Sequence, residues 1–224
     1  MGENQDRRQA HRQKRGLLRV EEILSAAGAL FAEHGYDRVT INMIAAHAGI
    51  SQGSLYQFFP NKEAITQAFA ANAIEQLHRV YDTMLSSEGT SLPFQMFLET
   101  FIDRIVAFNR NCPGYLALEL GLPISSPPAT VLADLRQGLL ARQDALLAAY
   151  WPQSTREQRQ LPLLVSYRLF LALLPLALRG DQEQQKAIVQ EMKAVLYRYL
   201  EPIVSEQRAE KGFSVQMRHE GTSE

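Results

Sequence analysis

The sequence of 224 residues contains a single cysteine, Cys112, so no disulfide can form within the chain. A chain without disulfides is typical of a reducing compartment, and we therefore expect a cytoplasmic protein. The five histidines are scattered: His11, His34, His47, His78 and His219. No two of them have the spacing of a metal site, no glycine-rich loop follows a strand, and no histidine is near Cys112 in the sequence. We therefore expect no metal, no cofactor and no enzymatic activity.

An excess of charge of one sign is also lacking, because the formal net charge is -1. The bases are nevertheless concentrated at the N-terminus, where residues 1–20 carry six of them against Glu3 and Asp6. These bases are Arg7, Arg8, Arg12, Lys14, Arg15 and Arg19. Such a segment is typical of an arm that binds a polyanion and also of a solvated tail, and both interpretations remain open. We predict a flexible basic arm over residues 1–17.

Long hydrophobic runs are scarce as well. No apolar segment follows the basic N-terminus, so no signal peptide is expected. One apolar run, residues 161–178, approaches the length of a membrane span, but Arg168 lies near its middle and Pro175 interrupts it. Such a run is more typical of a helix buried in protein, so no membrane partner is expected.

Helical periodicity dominates the sequence and no alternating strand pattern is present, so the predicted fold is all-α. A first helix is predicted over residues 18–34 from its apolar face. Thr40 then caps a second helix, Ser51 caps a third, and Asn61 caps a fourth over residues 62–85. These caps divide the N-terminal region into three short helices followed by a long one.

A larger helical body follows the three short helices. Its further predicted helices span residues 93–110, 113–121, 128–150, 156–178 and 182–200. Residues 86–91 are predicted as a loop and residues 123–128 as a linker. The predicted domains are the arm at 1–17, a three-helix unit at 18–62, a helical body at 63–204 and a polar tail at 205–224.

Two of the short helices, residues 40–48 and 51–59, are joined by a tight turn at Gly49–Ile50, which is the pattern of a helix-turn-helix. In that unit the second helix enters the major groove of DNA. The residues left on its outer face are small or form hydrogen bonds, and none is acidic: Gln52, Gly53, Ser54, Tyr56 and Gln57. Gly53 in this set allows the backbone to approach DNA closely.

The residues of this region have distinct expected roles. Leu55, Phe58 and Phe59 are expected to hold the second helix of the motif against the core. Gln52 and Gln57 are suited to base edges, since glutamine pairs with adenine. The side chains expected to bond phosphates are Thr40, Ser51, Tyr56 and Lys62. The same geometry also occurs in proteins that bind no DNA, so the spacing alone leaves that alternative open.

The segment from Val20 to Ile65 resembles the DNA-binding domain of the tetracycline-repressor (TetR) family of bacterial transcription regulators. The similarity rests on the run ILSAAGALFAEHGYDRVTINMIAAHAGISQGSLYQFFPNKEAI. Its most specific positions are Gly53, Leu55, Tyr56, Phe59 and Lys62.

The resemblance implies a homodimer whose subunits carry an N-terminal DNA-reading domain and a C-terminal helical domain that senses a ligand. It implies that Tyr56 and Lys62 contact phosphates. It also implies that Gln52, Ser54 and Gln57 lie at the groove. The expected function is a repressor that leaves a palindromic operator of double-stranded DNA when a small molecule, still unknown, binds. A helical ligand-binding or interaction protein that binds no DNA is the alternative.

The last two predicted helices carry a heavy apolar load. Their apolar positions follow helical spacing: Leu164, Tyr167, Leu171, Leu174, Ile188, Met192, Val195 and Tyr199. In the resembling family the last two helices form a four-helix dimer interface, whereas core packing within one chain is the alternative. The preceding helices are rich in aromatic residues, which favours a ligand pocket or plain core packing. The predicted pocket residues are Phe97, Phe101, Phe108, Tyr115, Glu119 and Trp151.

Overall fold

The computed structural model describes residues 2–121 and 127–220, and all regular structure within these ranges is α-helical. The predicted all-α fold is therefore confirmed. The helices, in chain order, are α1 (Gly2–His34), α2 (Ile41–His47), α3 (Gln52–Tyr56), α4 (Lys62–Leu85), α5 (Ser87–Ser91), α6 (Phe94–Asn111), α7 (Pro113–Gly121), α8 (Pro127–Tyr150), α9 (Arg156–Ala177) and α10 (Gln182–Glu220).

The N-terminal segment differs from its prediction. α1 begins at Gly2 rather than at residue 18, so the arm predicted as flexible at residues 1–17 is helical in its described part. Arginine, glutamine, glutamate, lysine and alanine dominate this segment, and proline is absent. These residues lose little side-chain freedom in a helix, so the segment prolongs α1.

Two other segments are also more helical than predicted. α10 continues to Glu220 through most of the polar tail predicted at residues 205–224. α5 occupies the loop predicted at residues 86–91, because the Ser86 hydroxyl caps its first turn. The linker predicted at residues 123–128 lies mainly outside the described residues.

The chain forms two compact units. The first comprises Met1–Gln76 and Asn111–Arg136, and the second comprises Leu77–Arg110 and Gln137–Glu224. This division does not follow the predicted boundary at residue 62. The division falls within α4, between Gln76 and Leu77, and α7 packs on α1 within the first unit.

α1 supplies the centre of the first unit. Phe31 is fully buried, and its ring centroid lies 5.9 Å from that of Tyr36 and 6.0 Å from that of Phe69 on α4. α7 crosses α1 where Gly114 faces Gly28, and a Cβ atom on Gly114 would lie 2.7 Å from the Gly28 Cα. Glycine therefore allows the two helices to cross in backbone contact.

Aromatic rings from α4, α6 and α8 pack together in the second unit. The Phe97 ring centroid lies 4.6 Å from that of Tyr150 and 6.1 Å from that of Phe101, which in turn lies 5.1 Å from Tyr81. The Tyr81 hydroxyl accepts a hydrogen bond from Gln143 Nε2 at 2.8 Å. Burial raises the pKa of Tyr81 to about 12, so the phenol stays protonated at neutral pH.

Two arginine–aspartate pairs join helices of the second unit at different depths. Arg159 of α9 is 9% exposed and donates to both carboxylate oxygens of Asp144 at 2.7 and 2.9 Å, and also to the Ser154 carbonyl. Arg142 of α8 donates to Asp82 at 2.7 Å, and the Asp82 side chain is 56% exposed. The hydrogen bonds from Arg159 lower the pKa of Asp144.

α9 is long and apolar but largely exposed. Among the described residues, α9 is the helix that is long and apolar enough to cross a membrane. Of its most apolar 18-residue segment, 17% is buried. Leu161, Leu164 and Leu176 are 65%, 52% and 53% exposed. Of the predicted interface positions, Leu174 and Met192 are buried within the chain, Leu164 is exposed and the others are half-buried. An exposed apolar face of this extent is typical of a surface that has a partner.

Removing the Asp144 carboxylate is expected to destabilise the protein more than removing that of Asp82. Asp144→Asn leaves the buried Arg159 without its charged partner, which costs about 2 kcal/mol in the free energy of unfolding. Asp82→Asn breaks an exposed pair and costs less than about 1 kcal/mol. Denaturant unfolding of both variants beside the wild type measures the two differences, and equal costs would contradict the assignment.

The same pair predicts the pH dependence of that difference. The pKa of Asp144 is lowered in the folded state, so its contribution is present above the ordinary carboxyl pKa of about 4. The contribution is lost as pH falls through the lowered value, and the deficit of Asp144→Asn therefore shrinks in acid.

Candidate nucleic-acid interface

α2 and α3 form the helix-turn-helix that the sequence predicts. Thr40 and Ser51 are the N-caps of these helices, and Asn61 caps the first turn of α4. In each case the side-chain oxygen accepts a hydrogen bond from the backbone N–H three residues later, at 3.3, 3.1 and 2.8 Å respectively. The three predicted caps are confirmed, and they fix where each short helix begins.

The turn between α2 and α3 depends on Gly49. Its φ is 65°, in the left-handed region that glycine adopts without strain. The Gly49 N–H donates to the Ala46 carbonyl at 3.1 Å, and the Ile50 N–H donates to the Ala45 carbonyl at 3.0 Å. This pair of bonds is a Schellman motif, which ends α2 and directs the chain into α3.

Leu55 anchors α3 and is fully buried. Phe59, one helical turn later, is also buried, whereas Phe58 is 38% exposed. The expectation that Phe58 faces inward is therefore wrong. Residues four apart share a helix face, so Phe59 follows Leu55 into the core and Phe58 lies at its edge.

The outer surface of α3 carries most of the predicted DNA contacts. Thr40, Ser51, Gln52, Gly53, Tyr56 and Gln57 are exposed, whereas Ser54 and Lys62 are half-buried. A Cβ atom on Gly53 would meet nothing of the protein within 4 Å, so no internal contact requires glycine there. No acidic residue occurs between Asp37 and Glu63, and a phosphate near this surface would meet no carboxylate from that segment.

The hydroxyl groups at the N-termini of α2 and α3 already take part in hydrogen bonds within the protein. Ser51 Oγ accepts the capping hydrogen bond and lies 2.9 Å from Ser54 Oγ. Thr40 Oγ1 accepts its own cap bond but keeps its proton as a donor. The structure therefore leaves Gln52, Tyr56 and Gln57 as the longest exposed polar side chains of α3 and its C-cap.

Lys62 has a structural contact that the sequence did not indicate. Its Nζ donates to the Tyr36 carbonyl at 3.1 Å and lies 4.1 Å from the centroid of the Tyr36 ring. The ammonium group has two further protons to donate. Lys62 thus joins the first turn of α4 to the segment after α1, and its predicted phosphate contact remains a prediction.

Tyr36 is the residue of this region whose role sequence reasoning missed. Burial raises the pKa of its phenol, and the neighbouring carboxylates of Glu63 and Asp37 raise it further. Its ring also packs on Phe31. Tyr36 therefore positions α4 relative to α1 through its ring, hydroxyl and carbonyl. The position of Tyr36 directly after the glycine that follows α1 is the sequence signal that could have indicated this role.

The residues predicted to contact a ligand are distributed over both units. The second unit holds Phe97, Phe101, Phe108 and Trp151, whereas Tyr115 and Glu119 lie on α7 in the first unit. The pocket formed by these six residues therefore remains a prediction. Phe97 and Phe101 are the pair whose rings stack.

Buried polar atoms of the second unit that lack a hydrogen-bond partner among the described residues include Asn109 Oδ1, Trp151 Nε1 and Ser166 Oγ. The amide nitrogen of Asn109 donates to the Ile105 carbonyl at 2.9 Å, so only its oxygen is unsatisfied. A buried polar atom without a partner is costly, and a bound molecule or water that supplies one removes that cost.

Comparison with known sequences relates both regions to one family. Residues 23–69 match the family model described as bacterial regulatory proteins, tetR family. Residues 92–204 match the model described as tetracyclin repressor-like, C-terminal domain.

Individual relatives match over part of their length. The HTH-type transcriptional repressor KstR2 of Rhodococcus jostii is 36% identical over 69 residues, which are 31% of this chain and 34% of that protein. The HTH-type transcriptional regulator YxaF of Bacillus subtilis is 32% identical over 118 residues. That match spans 52% of this chain and 59% of the relative.

Solved structures with the same architecture cover more of the chain. The fatty acid degradation regulator FadR from Bacillus halodurans has a TM-score of 0.62 at 17% identity, over 79% of this chain and 93% of that one. A TetR-family transcriptional regulator from Streptomyces coelicolor has a TM-score of 0.55 at 25% identity, over 81% and 97% of the two chains. The first of these likenesses shows the fold alone.

Replacing Lys62 is expected to affect stability as well as any DNA contact. Lys62→Ala removes the hydrogen bond to the Tyr36 carbonyl and the contact with its ring, a loss of about 2 kcal/mol. Tyr56→Phe, which removes an exposed hydroxyl from the same surface, should change stability by less than about 0.5 kcal/mol. Denaturant unfolding measures both variants. Wild-type stability for Lys62→Ala would show that the contact with Tyr36 stabilises nothing.

Proposed function

The chain belongs to the TetR family of DNA-binding transcription regulators, and we propose that it represses transcription from a palindromic operator that it leaves when a small molecule binds. This proposal rests mainly on the outer surface of α3. A capped helix, anchored by the buried Leu55, presents exposed Gln52, Gly53, Tyr56 and Gln57 without an acidic neighbour. An exposed helix of this composition is suited to the major groove.

Each side chain of that surface has a proposed role. Gln57 and Gln52 read base edges, since the glutamine amide both donates to and accepts from adenine. Tyr56 and Lys62, with the hydroxyl groups of Thr40 and Ser51, bond phosphates and fix the register. Gly53 and Ser54 let the helix backbone approach the groove.

The proposed assembly is a homodimer formed through α9 and α10. Reading a palindrome needs two recognition helices about 34–36 Å apart, held by a stable interface. The exposed leucines of α9 supply apolar surface for such an interface in each subunit. A membrane is the alternative partner for the apolar face of α9. We propose the cytoplasm as the location of the protein, because a DNA-binding regulator acts there without a membrane.

The proposed effector site is in the second unit. Its aromatic residues provide an apolar environment, and the unpartnered Asn109 Oδ1 and Trp151 Nε1 offer an acceptor and a donor. An effector that favours a spacing of recognition helices unsuited to the operator weakens DNA binding. The coupling is reciprocal and typically amounts to about 1–3 kcal/mol, or roughly 5–150-fold in affinity.

The alternative is a helical ligand-binding protein that binds no DNA. Such a protein has no requirement for an exposed, uncharged α3 with an open glycine. We therefore favour regulation, with no enzymatic activity. Binding to random duplex DNA that weakens steeply with salt separates the two functions, because a ligand carrier shows none.

Two substitutions, Gln57→Ala at the C-cap of α3 and Gly53→Ala within it, test the proposed contact surface for DNA. Gln57→Ala should change the preferred base at one operator position, at a cost of about 1–3 kcal/mol in discrimination. Gly53→Ala should weaken binding to all sequences, because the new methyl group enters the space that the backbone needs against DNA. Alanine also favours a helix by about 1 kcal/mol over glycine, so this variant stays folded.

Both effects are measured by selecting duplexes from a random pool and then determining the dissociation constant of each variant for the selected duplexes. Gly121→Ala is the matched control, since a Cβ atom there also meets nothing within 4 Å. Wild-type preference and affinity in both α3 variants would refute the placement of this helix in the groove.

The exposed leucines of α9 test the dimer. Leu164→Glu places a charge on the proposed interface twice per dimer, so dimer affinity should fall by at least about 100-fold, equivalent to about 2.7 kcal/mol. Leu140→Glu is the control, because Leu140 on α8 is 55% exposed, similar to Leu164 at 52%. Sedimentation equilibrium should show a monomer for the first variant and a dimer for the second. A dimer in both cases would exclude this face as the interface.

A further inference from the structure

The N-terminal half of α1 extends beyond the packed part of the first unit. Among its described side chains, burial begins at Ile23 and Leu24, whereas Lys14, Arg15 and Leu17 are exposed. Residues 2–19, which we call the basic extension, precede the buried part of α1 and form about 18 residues of helix, or roughly 27 Å. This length corresponds to about eight base pairs of B-DNA.

The charge of the basic extension contrasts with that of the rest of the chain. Residues 1–20 contain six bases and two acids, whereas the remaining residues contain 17 bases and 22 acids. Positions 8, 12, 15 and 19 are all arginine, and their spacing places these positions on one face of a continuous helix. The segment therefore presents a row of positive charge at about one arginine per helical turn.

Little within the described part of the protein neutralises this row. Arg19 Nη1 pairs with Glu22 at 2.7 Å, and both side chains are exposed. Lys14 and Arg15 have no carboxylate partner among the residues whose side chains the structure describes. Exposed bases without a carboxylate partner, such as Lys14 and Arg15, are typical of a surface that meets a polyanion.

The composition of the basic extension identifies the kind of polyanion. Residues 2–16 contain no leucine, isoleucine, valine, methionine or aromatic residue. A helix that binds a membrane surface needs an apolar face, and this segment has none before Leu17. A surface for single-stranded nucleic acid needs aromatic rings for stacking, which are also absent. The phosphate backbone of a duplex requires only positive charge.

We propose that the basic extension binds the DNA backbone beside the half-site that α3 reads. This inference rests on the proposed function, because it takes duplex DNA as the partner. α1 is one unbroken helix, and its C-terminal half forms the core on which α3 packs. The position of α3 on DNA therefore also fixes where the basic extension can lie. Each subunit then holds the duplex twice, with α3 contributing sequence preference and the basic extension contributing affinity.

The test removes charge from the basic extension and leaves α3 unchanged. The variant carries Arg8→Gln, Arg12→Gln and Arg15→Gln, since glutamine keeps the helix propensity and loses the charge. A control with the same change in net charge carries Arg104→Gln, Arg110→Gln and Arg179→Gln, which are exposed positions of the second unit outside α9 and α10.

Dissociation constants are measured from 50 to 300 mM KCl on a selected operator with random flanks, on the same operator trimmed to its two half-sites, and on random duplex. Six lost phosphate contacts per dimer should flatten the salt dependence by about five in log–log slope. At low salt the affinity for operator and for random duplex should fall together, by about tenfold or more, and their ratio should stay constant. Trimming the flanks should weaken the wild type and the control but not the variant.

Several outcomes would overturn the proposal. A wild-type salt slope in the variant would do so, as would a loss no larger than in the control. Binding of the wild type to phosphatidylglycerol vesicles that the variant loses, with an unchanged slope on DNA, would identify a membrane partner instead. A wild type that prefers no selected operator over random duplex would refute the proposed function, whereas the comparison on random duplex still tests the basic extension.

Discussion

The burial of Leu55 is the interaction on which the reading surface depends. α3 has five residues, and a helix of that length has no stability of its own in water. It exists because Leu55 is fully buried, Phe59 joins it in the core, and Ser51 satisfies the first turn. These three residues fix the rotation of the helix about its axis. They thereby determine that Gln52, Tyr56 and Gln57 face outward, where the proposed contacts with DNA need them.

The core that receives Leu55 is organised around α1. Phe31 contacts the rings of both Tyr36 and Phe69, so the end of α1, the following segment and α4 share one aromatic cluster. Lys62 adds a bond from the first turn of α4 to the Tyr36 carbonyl. α7 crosses α1 at Gly114 and Gly28 in backbone contact. A displacement of α4 or α7 is therefore transmitted directly to α1, the helix at the centre of the unit that holds α3. The proposed coupling between effector and operator requires such a connection.

Much of the fold could be predicted from the sequence, because its signals are local. Thr40, Ser51 and Asn61 cap the helices that they were predicted to cap, since each bond reaches only three residues along the chain. Gly49 ends α2 for an equally local reason. Two of the wrong predictions have separate causes. Phe58 was expected in the core, but only one of two adjacent phenylalanines can follow Leu55 onto the buried face. The polarity of residues 1–17 suggested irregular structure, although the same residues are good helix formers.

The sequence alone therefore determined the all-α fold, the helix-turn-helix and the family, since these depend on periodicity, caps and a compact motif within about fifty residues. Only the tertiary structure decided which side of α3 is free, that Lys62 is held by Tyr36, and that α7 rests on α1 rather than with the second unit. It also decided that Leu161, Leu164 and Leu176 of α9 stay exposed within the part of the chain that the structure describes. Each of these facts joins residues far apart in the sequence, and contacts of that kind are set by packing, which no local pattern encodes.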